Sequence, residues 1–568
     1  MNIFRRDAGD PADVTPAEDA PVRRRGRVRG VRGLAIVAAA SLALAGCSGN
    51  SDDQGADDES TSSGGVVLAN GTEPQNPLLP ANTNEVGGGR IVDSIYAGLV
   101  YYEADGTASN DLAESIETTD SQNYTITIKP GQTFSDGTPV TAQSFVDAWN
   151  FGAAAVNAQL SSSFFEPIAG YDEVSAEGST LTEMSGLAVV DETTFTVALK
   201  QPESDFPLRL GYSAFYPLPE SAYADIEAFG ENPVGNGPYE LAGEGAWQHD
   251  TRIDLVPNDS YTGPRKAQND GLSFVFYADD DAAYTDLQAG ALDVIDQIPD
   301  SALATYEADL GDRAVNEPAA IIQTFTIPMD LPHFTGEEGR LRRAAISHAI
   351  DRETITEAIF QGTRTPATDF TSPVLEGYSE DVPGNEVQAY DPDRAKQLWA
   401  EADAIAPWSG TFQIAYNSDG PHQGWVDAVS NNIRQTLGIE AEGKPYPTFG
   451  QLRAEITGGT VAAAFRSGWQ GDYPSLQNFL GPNYQTGGSS NDGDYSNPAF
   501  DALITQAAGT ADREQANALL LQAQTILFQD LPNISLWYQN VSAGSAETVS
   551  NVQYGWNSQP LYYAITKE

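Results

Sequence analysis

The sequence predicts an α/β protein divided into separate lobes. Three observations carry this. Runs with apolar period two alternate with runs of period 3.6 along the whole chain. No internal repeat of fixed period is present. The chain has 568 residues, enough for about three or four domains of usual size.

The first 20 residues are polar. "RRRGRVRGVRG" follows, with Arg23, Arg24, Arg25, Arg27, Arg29 and Arg32, and then the uncharged run Leu34 to Gly46. That run is too short to cross ~30 Å of hydrocarbon as a helix. A basic flank, a short apolar core and small residues before a break describe a secretory signal peptide over 1–46. The only cysteine, Cys47, comes next, in "LAGC". This resembles the bacterial lipobox, which implies cleavage before Cys47 and a lipid on it. The apolar motif expected after a twin-arginine signal does not follow the arginines closely. Residues 47–65, rich in Ser, Gly, Asp and Glu, cannot bury a core and read as a disordered tether. These features place the body on the extracytoplasmic face of the cell membrane, lipid-anchored.

"GVVLANG" (65–71) opens the body as a strand. "IVDSIYAGLVYY" (91–102) starts helical and turns β-rich. In "NYTITIKPGQTFSDG" (123–137), Tyr124, Ile126 and Ile128 alternate with polar residues, and Pro-Gly ends the strand. "TAQSFVDAWNFGAAAV" (141–156) is a helix with Thr141 placed to cap it. "TTFTVALKQP" (193–202), "RIDLVPN" (252–258) and "LSFVFY" (272–277) are strands. "AAYTDLQAGALDVI" (282–295) is helix, turn and strand. "GRLRRAAISHAIDRETITEAIFQG" (339–362) reads as one long amphipathic helical region with Gly362 just past its end. Asp391 and Pro392 mark the start of a helix over 391–404. A strand at 411–417, helices at 425–439 and 513–532 and a strand at 533–543 complete the body.

Composition excludes several classes. There are 29 Lys+Arg against 80 Asp+Glu, net −51. Removing residues 1–46 takes away eight Arg and five Asp+Glu and leaves net −54. A polyanion of this size repels phosphate backbones, so nucleic acid is not a partner, and anionic lipid surfaces are poor ones. The acidity reads as solubility, or as attraction for cationic ligands. One cysteine excludes a disulfide framework and a thiolate zinc site.

The order of the motifs carries a resemblance. "VDSIYAGLVYYEADG", "DLAESIETTDSQNYTITIKPGQTFSDGTPVTAQSFVDAW", "VGNGPYEL", "NDSYTG", "DLQAGALDV", "LRRAAISHAIDRETI", "SGWQGDYPSLQNFL" and "DYSNPAFDALITQA" succeed one another as in the extracellular solute-binding proteins, family 5. These serve peptide-type ABC importers. The resemblance covers about residues 66 to 566. It implies a two-lobed periplasmic-binding-protein-like fold of the peptide-binding type, with an additional inserted domain. On this mapping lobe I takes 66–102, 223–325 and 536–568, the insert takes 103–222, and lobe II takes 326–535. Two departures stand out. Ser144 occupies a position where the family usually has Asp, and "GGG" (87–89) precedes the opening helix, where it would alter the pocket rim or loosen a loop.

The resemblance also implies the site. Peptide binders of this family hold an extended ligand between the lobes by main-chain hydrogen bonds. Arg466, Ser467, Gly468 and Trp469 would form one wall, and Asn84 and Val86 another contact. Asp472 falls where such members pair the ligand's α-ammonium, which is costly to bury alone. From the residues themselves, Asp472 reads equally as a turn carboxylate and Trp469 as a core aromatic. The implied function is a monomeric lipoprotein that captures di- or oligopeptides and delivers them to membrane permease subunits. A non-peptide solute (an oligosaccharide, an opine-like compound or a metal chelate) is an alternative, and a secreted hydrolase is a remoter one.

Other chemistry is not expected. No HExxH or GxSxG occurs. His249, His333, His348 and His422 lack metal-pair spacing; His422, beside Pro421, is the one loop candidate, and His348 reads as structural. "ADDDAAYTD" (278–286) and "NDGD" (491–494) do not fit a twelve-residue calcium loop. "GNGPYE" lacks the third glycine of a nucleotide loop and reads as a turn. The protein is read as a binder without cofactor or metal, not an enzyme.

Overall fold

The computed structural model describes residues 65–83 and 85–567. The leader, Cys47, the tether up to residue 64, and Asn84 lie outside the described residues. Gly65, placed at the tether's end, donates its N–H to the Lys567 carbonyl at 3.2 Å.

One mixed sheet runs through the molecule. Its strand order is Ala441–Tyr446, Phe412–Asn417, Ala464–Gln470, Ala314–Thr326, Asn533–Ser545, Val294–Ile295, Val66–Gly71, Gly271–Phe276, Arg252–Pro257 and Tyr239–Leu241. The two central strands are each 13 residues long and antiparallel. Their register shifts between Pro318 and Ile322. Before the shift, Ala314–Pro318 pairs with Asn540–Gly544, next to Val294–Ile295; after it, Ile322–Thr326 pairs with Asn533–Tyr538 and with Phe465–Trp469. A bulge of this kind bends and twists a strand. It lies where the strand passes from one large core to the next, with Ala319 in the first and Ala320 in the second.

The apolar residues fall into two large cores. One joins Val67, Ile91 and Phe274 to Ile126, Phe195 and Trp149. The other gathers Ile322, Phe370, Trp425, Leu527 and Trp537. The stretch 103–222 therefore shares the first of these cores. It carries its own antiparallel sheet, in the order Ala113–Thr118, Asn123–Ile128, Thr194–Ala198, Leu187–Val189. Tyr124, Ile126 and Ile128 are buried on one face of it, as the alternation predicts. Fully buried Trp149 packs edge-on against Phe195 and Phe215, and its indole N–H reaches the Phe215 carbonyl at 2.9 Å.

Local chemistry explains the starts of helices. Thr141 caps Ala142–Ala153 in a reciprocal box: its hydroxyl accepts from the Ser144 N–H, and the Ser144 hydroxyl accepts from the Thr141 N–H. That is the role of the serine which departs from the family pattern. Asp391 caps Pro392–Ile405 as expected.

Two expectations need correction. Residues 339–362 form two helices, Gly336–Ala349 and Arg352–Phe360. The chain breaks because the Asp351 carboxylate caps the second one through the Thr354 N–H. The three glycines do not precede the opening helix; they form the first turn of Val86–Ile95. A Cβ on Gly87 would collide with the Thr72 hydroxyl and one on Gly88 with the Glu85 carboxylate, whereas nothing lies within 4 Å of that position on Gly89, so close packing accounts for the first two glycines only.

Candidate ligand-binding site

The strand Ala464–Gln470 and the turn after it bring most of the expected residues together. Pairing with Phe412–Asn417 covers only Ala464 and Phe465. Beyond that point the neighbouring strand diverges, and the Arg466 Nε reaches the Asn417 amide oxygen at 2.8 Å instead. The edge from Arg466 to Gln470 is thus without a strand partner among the described residues, and Gly468 is exposed. An uncovered edge with free backbone N–H and C=O groups is a template for an extended ligand. On the opposite side this strand is firmly held. It pairs with Ile321–Thr326, and the Ser467 hydroxyl meets the Thr324 and Thr326 hydroxyls at 2.7 and 2.8 Å.

Arg466, Ser467, Gly468 and Trp469 also line a cavity of about 140 Å³, closed in part by Asn483 and by the Arg453–Asp492 ion pair at 2.6 and 2.7 Å. That volume holds several waters or one side chain of a ligand. Asp492, from the "NDGD" stretch, is therefore engaged with an arginine. The Arg466 guanidinium stacks on Phe449 at 4.7 Å, and burial lowers its pKa.

Asp472 does not line this cavity. It sits past Gly471, half-buried, and is tied back to the strand through Asn478 on the helix Leu476–Tyr484. The Asn478 amide donates to Asp472 Oδ2 at 2.9 Å, and its oxygen accepts the Asp472 N–H at 2.9 Å and the Trp469 indole N–H at 3.1 Å. Among the described residues Oδ1 has no hydrogen-bond partner, and it is not sealed from solvent. Burial pushes the Asp472 carboxyl up to about 6, against the Asn478 hydrogen bond and the Arg209 charge, which both pull it down. Burial also raises the phenols of Tyr102, Tyr212 and Tyr473, and the Asp472 charge adds to each rise. Tyr212 packs against the first core and Tyr102 against the second, so Asp472 stands near side chains of both. Tyr102, Tyr473 and Asn478 lie within motifs quoted above but carry no signal of this role there, and Tyr212 lies outside every such motif.

Val86 opens the Val86–Ile95 helix and is 45% exposed. No hydrogen bond joins it to the Arg466–Asp472 segment. The histidines are engaged elsewhere. His348 Nδ1 contacts the Ala389 carbonyl at 2.9 Å, and burial lowers His422 to about 4. Among the described residues no group of His, Cys, Asp and Glu stands together as a metal site. "GNGPYE" is a packing turn: Asn236 bonds both the carbonyl and the N–H of Ala97, and Gly235 lies against Ile95. Among the described residues no helix is long and apolar enough to cross a membrane.

Comparison with known proteins bears on this geometry. A sequence model of the bacterial extracellular solute-binding proteins, family 5 (middle), matches residues 107–491. The oligopeptide-binding protein OppA of Bacillus subtilis is 26% identical over 487 residues, covering 82% of this chain and 86% of that one. The periplasmic oligopeptide-binding protein OppA of Escherichia coli is 27% identical over 486 residues, covering 83% and 87%. Among solved structures, the Escherichia coli murein tripeptide binding protein MppA superposes with a TM-score of 0.73 at 21% identity, over 89% of this chain and 98% of that one. Haemophilus influenzae OppA in complex with the peptide RPPGFSPFR gives 0.72 at 20% identity, over 89% and 99%. The likeness of these two structures concerns the fold.

Proposed function

This chain belongs to the bacterial extracellular solute-binding proteins, family 5, and from that premise we propose that it captures peptides outside the cell and delivers them to the membrane permease subunits of an ABC importer. The observation that carries the reading is the open strand edge Arg466–Gln470, which ends at a half-buried carboxylate with one oxygen unpartnered. An extended peptide adds to the edge by main-chain hydrogen bonds, and its α-ammonium pairs with Asp472 Oδ1. The Trp469 indole is already satisfied by Asn478, so its ring serves as a rigid wall. The cavity behind Gly468 takes a side chain, with water filling what the side chain leaves. The oligopeptide-binding names of the relatives support the same ligand class.

The remaining parts of the reading are built around that site. Lobe I comprises 66–102, 223–325 and 536–568, the insert 103–222, and lobe II 326–535, with the crossing strands Ala314–Thr326 and Asn533–Ser545 as hinges. Cys47 carries the lipid and residues 47–65 tether a monomeric body to the outer face of the membrane. The protein binds and releases its ligand unaltered.

The test uses a casein hydrolysate of two- to nine-residue peptides, with half of it N-acetylated, passed over immobilised protein. Mass spectrometry of the retained fraction is expected to find uncut peptides with free amines. Retention of nothing, or recovery of cleaved products, overturns the reading. Equal retention of acetylated peptides removes the amine-pairing role of Asp472.

A further inference from the structure

The Asp472–Ser475 turn is gripped from the other side of the cleft by one short segment of the inserted domain, Glu203 to Arg209. The Arg209 guanidinium lies 4.8 Å over the Tyr473 ring. Its Nε is ion-paired with the Glu203 carboxylate, and both side chains are largely buried. Two residues before the short helix Phe206–Arg209 begins, the Ser204 N–H donates to the Ala508 carbonyl at 2.8 Å. Between them, Asp205 Oδ2 accepts from the Ser475 hydroxyl at 2.8 Å, and that same hydroxyl accepts the Gln477 N–H at 3.1 Å to cap the helix behind Asp472. A cation, a carboxylate and a backbone N–H therefore reach from one segment to the turn and the helices beside it.

We propose that Arg209 is a positioning residue for ligand capture: seated on Tyr473, it couples the inserted domain to the turn that presents Asp472, so that this domain holds the ligand's counter-charge in place when the lobes meet. The proposal rests on the reading of Asp472 as the partner of the ligand's ammonium. A guanidinium suits the task. It is planar and weakly hydrated, so it stacks on an aromatic face at small desolvation cost. The groups facing Asp472 are the Arg209 charge, the phenols of Tyr102, Tyr212 and Tyr473, and the Asn478 amide. Of these only Arg209 carries a positive charge. It counters the effect of burial on Asp472, and a charge in a poorly hydrated junction acts with less screening than in water. Removing it should loosen the turn and make Asp472 easier to protonate.

The test measures retention of the free-amine casein hydrolysate between pH 5 and 8 on the wild type and on the Arg209→Met, Arg209→Lys and Asp472→Asn variants, each checked for folding by its melting curve. Arg209→Met is expected to retain about tenfold less at neutral pH, within the range of measured couplings between contacting residues. Its half-retention point should move up by about one pH unit. Arg209→Lys should restore the pH midpoint but not the full affinity. If Arg209→Met unfolds because Glu203 is left unpaired, the Glu203→Gln/Arg209→Met double variant removes both charges and decides the matter. Wild-type retention and midpoint in a folded Arg209→Met or double variant, with Asp472→Asn defective, overturns the role of Arg209 alone. Unchanged retention in Asp472→Asn overturns the reading beneath it.

Discussion

Asn478 binds Asp472 in both directions, giving a hydrogen bond to its carboxylate and taking one from its backbone N–H, each at 2.9 Å. The same amide oxygen holds the Trp469 indole. One buried side chain thus fixes both Trp469 and Asp472, the proposed wall and counter-charge of the ligand. Asn478→Ala should leave three polar groups short of a partner. A loss of about 2–3 kcal/mol in stability is expected, read by chemical denaturation. The hydrogen bond that favours the ionised carboxylate is lost as well, so the pH at which peptide retention halves should rise.

Peptide capture by the wild type should depend on pH in one direction. Burial places the Asp472 carboxyl at about 6, and only its ionised form pairs with an ammonium. Affinity should be full above about pH 7 and decline as pH falls through about 6. Calorimetry at half-unit intervals checks this. A flat profile between pH 5 and 8 would count against Asp472 as the counter-charge.

The ligand-free protein should be more stable without that charge. The folded state binds the Asp472 proton more readily than the unfolded chain does, since the carboxyl is raised from 3.8 to about 6. Stability contributed by this group is therefore present below about pH 4 and lost as pH rises through about 6. Asp472→Asn keeps the Asn478 contact and removes the buried charge. Its stability at pH 7.5 should rise by up to about 3 kcal/mol, with the advantage vanishing near pH 4. Melting curves of the two proteins at both pH values make the comparison.

What could be read before the fold was known follows from how local each feature is. Thr141 with Ser144, and Asp391 with Pro392, act within one helical turn, so the caps were legible from adjacent letters. The break between Ala349 and Arg352 was missed because apolar spacing continues across it, while the decisive event is the Asp351 carboxylate turning to the next helix's N–H groups. Gly87 and Gly88 were not legible for the same reason: Thr72, brought alongside by the fold, and the Glu85 side chain stand where a Cβ would go. Motif order brings Arg466 to Trp469 and Asp472 forward as candidates. Arg209, Tyr102 and Tyr212 were not, since they meet Asp472 from more than 250 positions away along the chain, and periodicity records which face of an element is apolar but not which lobe it will face.

Gly468 should tolerate no side chain. A Cβ there would lie 2.7 Å from the Ile322 carbonyl oxygen, in the strand that holds the open edge in place. Gly468→Ala must push the two strands apart, at a cost of about 1–3 kcal/mol, and displace the edge that receives the ligand. Lower melting temperature and weaker peptide retention are expected together. Gly450, in the helix Phe449–Thr457, has nothing within 4 Å of the corresponding position. Gly450→Ala should melt at or slightly above the wild-type temperature, since alanine favours a helix. Equal effects of the two substitutions would show that the close approach at Gly468 does not matter.

Arg352 closes the second lobe from within. Its guanidinium is buried and donates to the carbonyls of Ser535 at 2.9 Å, Ser347 at 3.1 Å and Gln388 at 2.7 Å, and to the Ser347 hydroxyl at 3.0 Å. These belong to the long central strand, to the end of the preceding helix and to the turn before Asp391. No carboxylate lies within ion-pair distance among the described residues, and burial pulls the guanidinium down to about 9. The arginine persists there because one planar group with five donors satisfies carbonyls from three elements at once. A shorter or apolar side chain leaves them unpaired in the core, where each such group costs about 1–3 kcal/mol. Arg352→Met should therefore destabilise the protein by about 3 kcal/mol or more, and Arg352→Lys by less, because an ammonium can still reach part of the set. Chemical denaturation followed through tryptophan fluorescence, with Trp425 and Trp537 in the same core, reads the loss. If Arg352→Met unfolds at the wild-type denaturant concentration, the carbonyls have found other donors and the residue is not the clasp that this geometry describes.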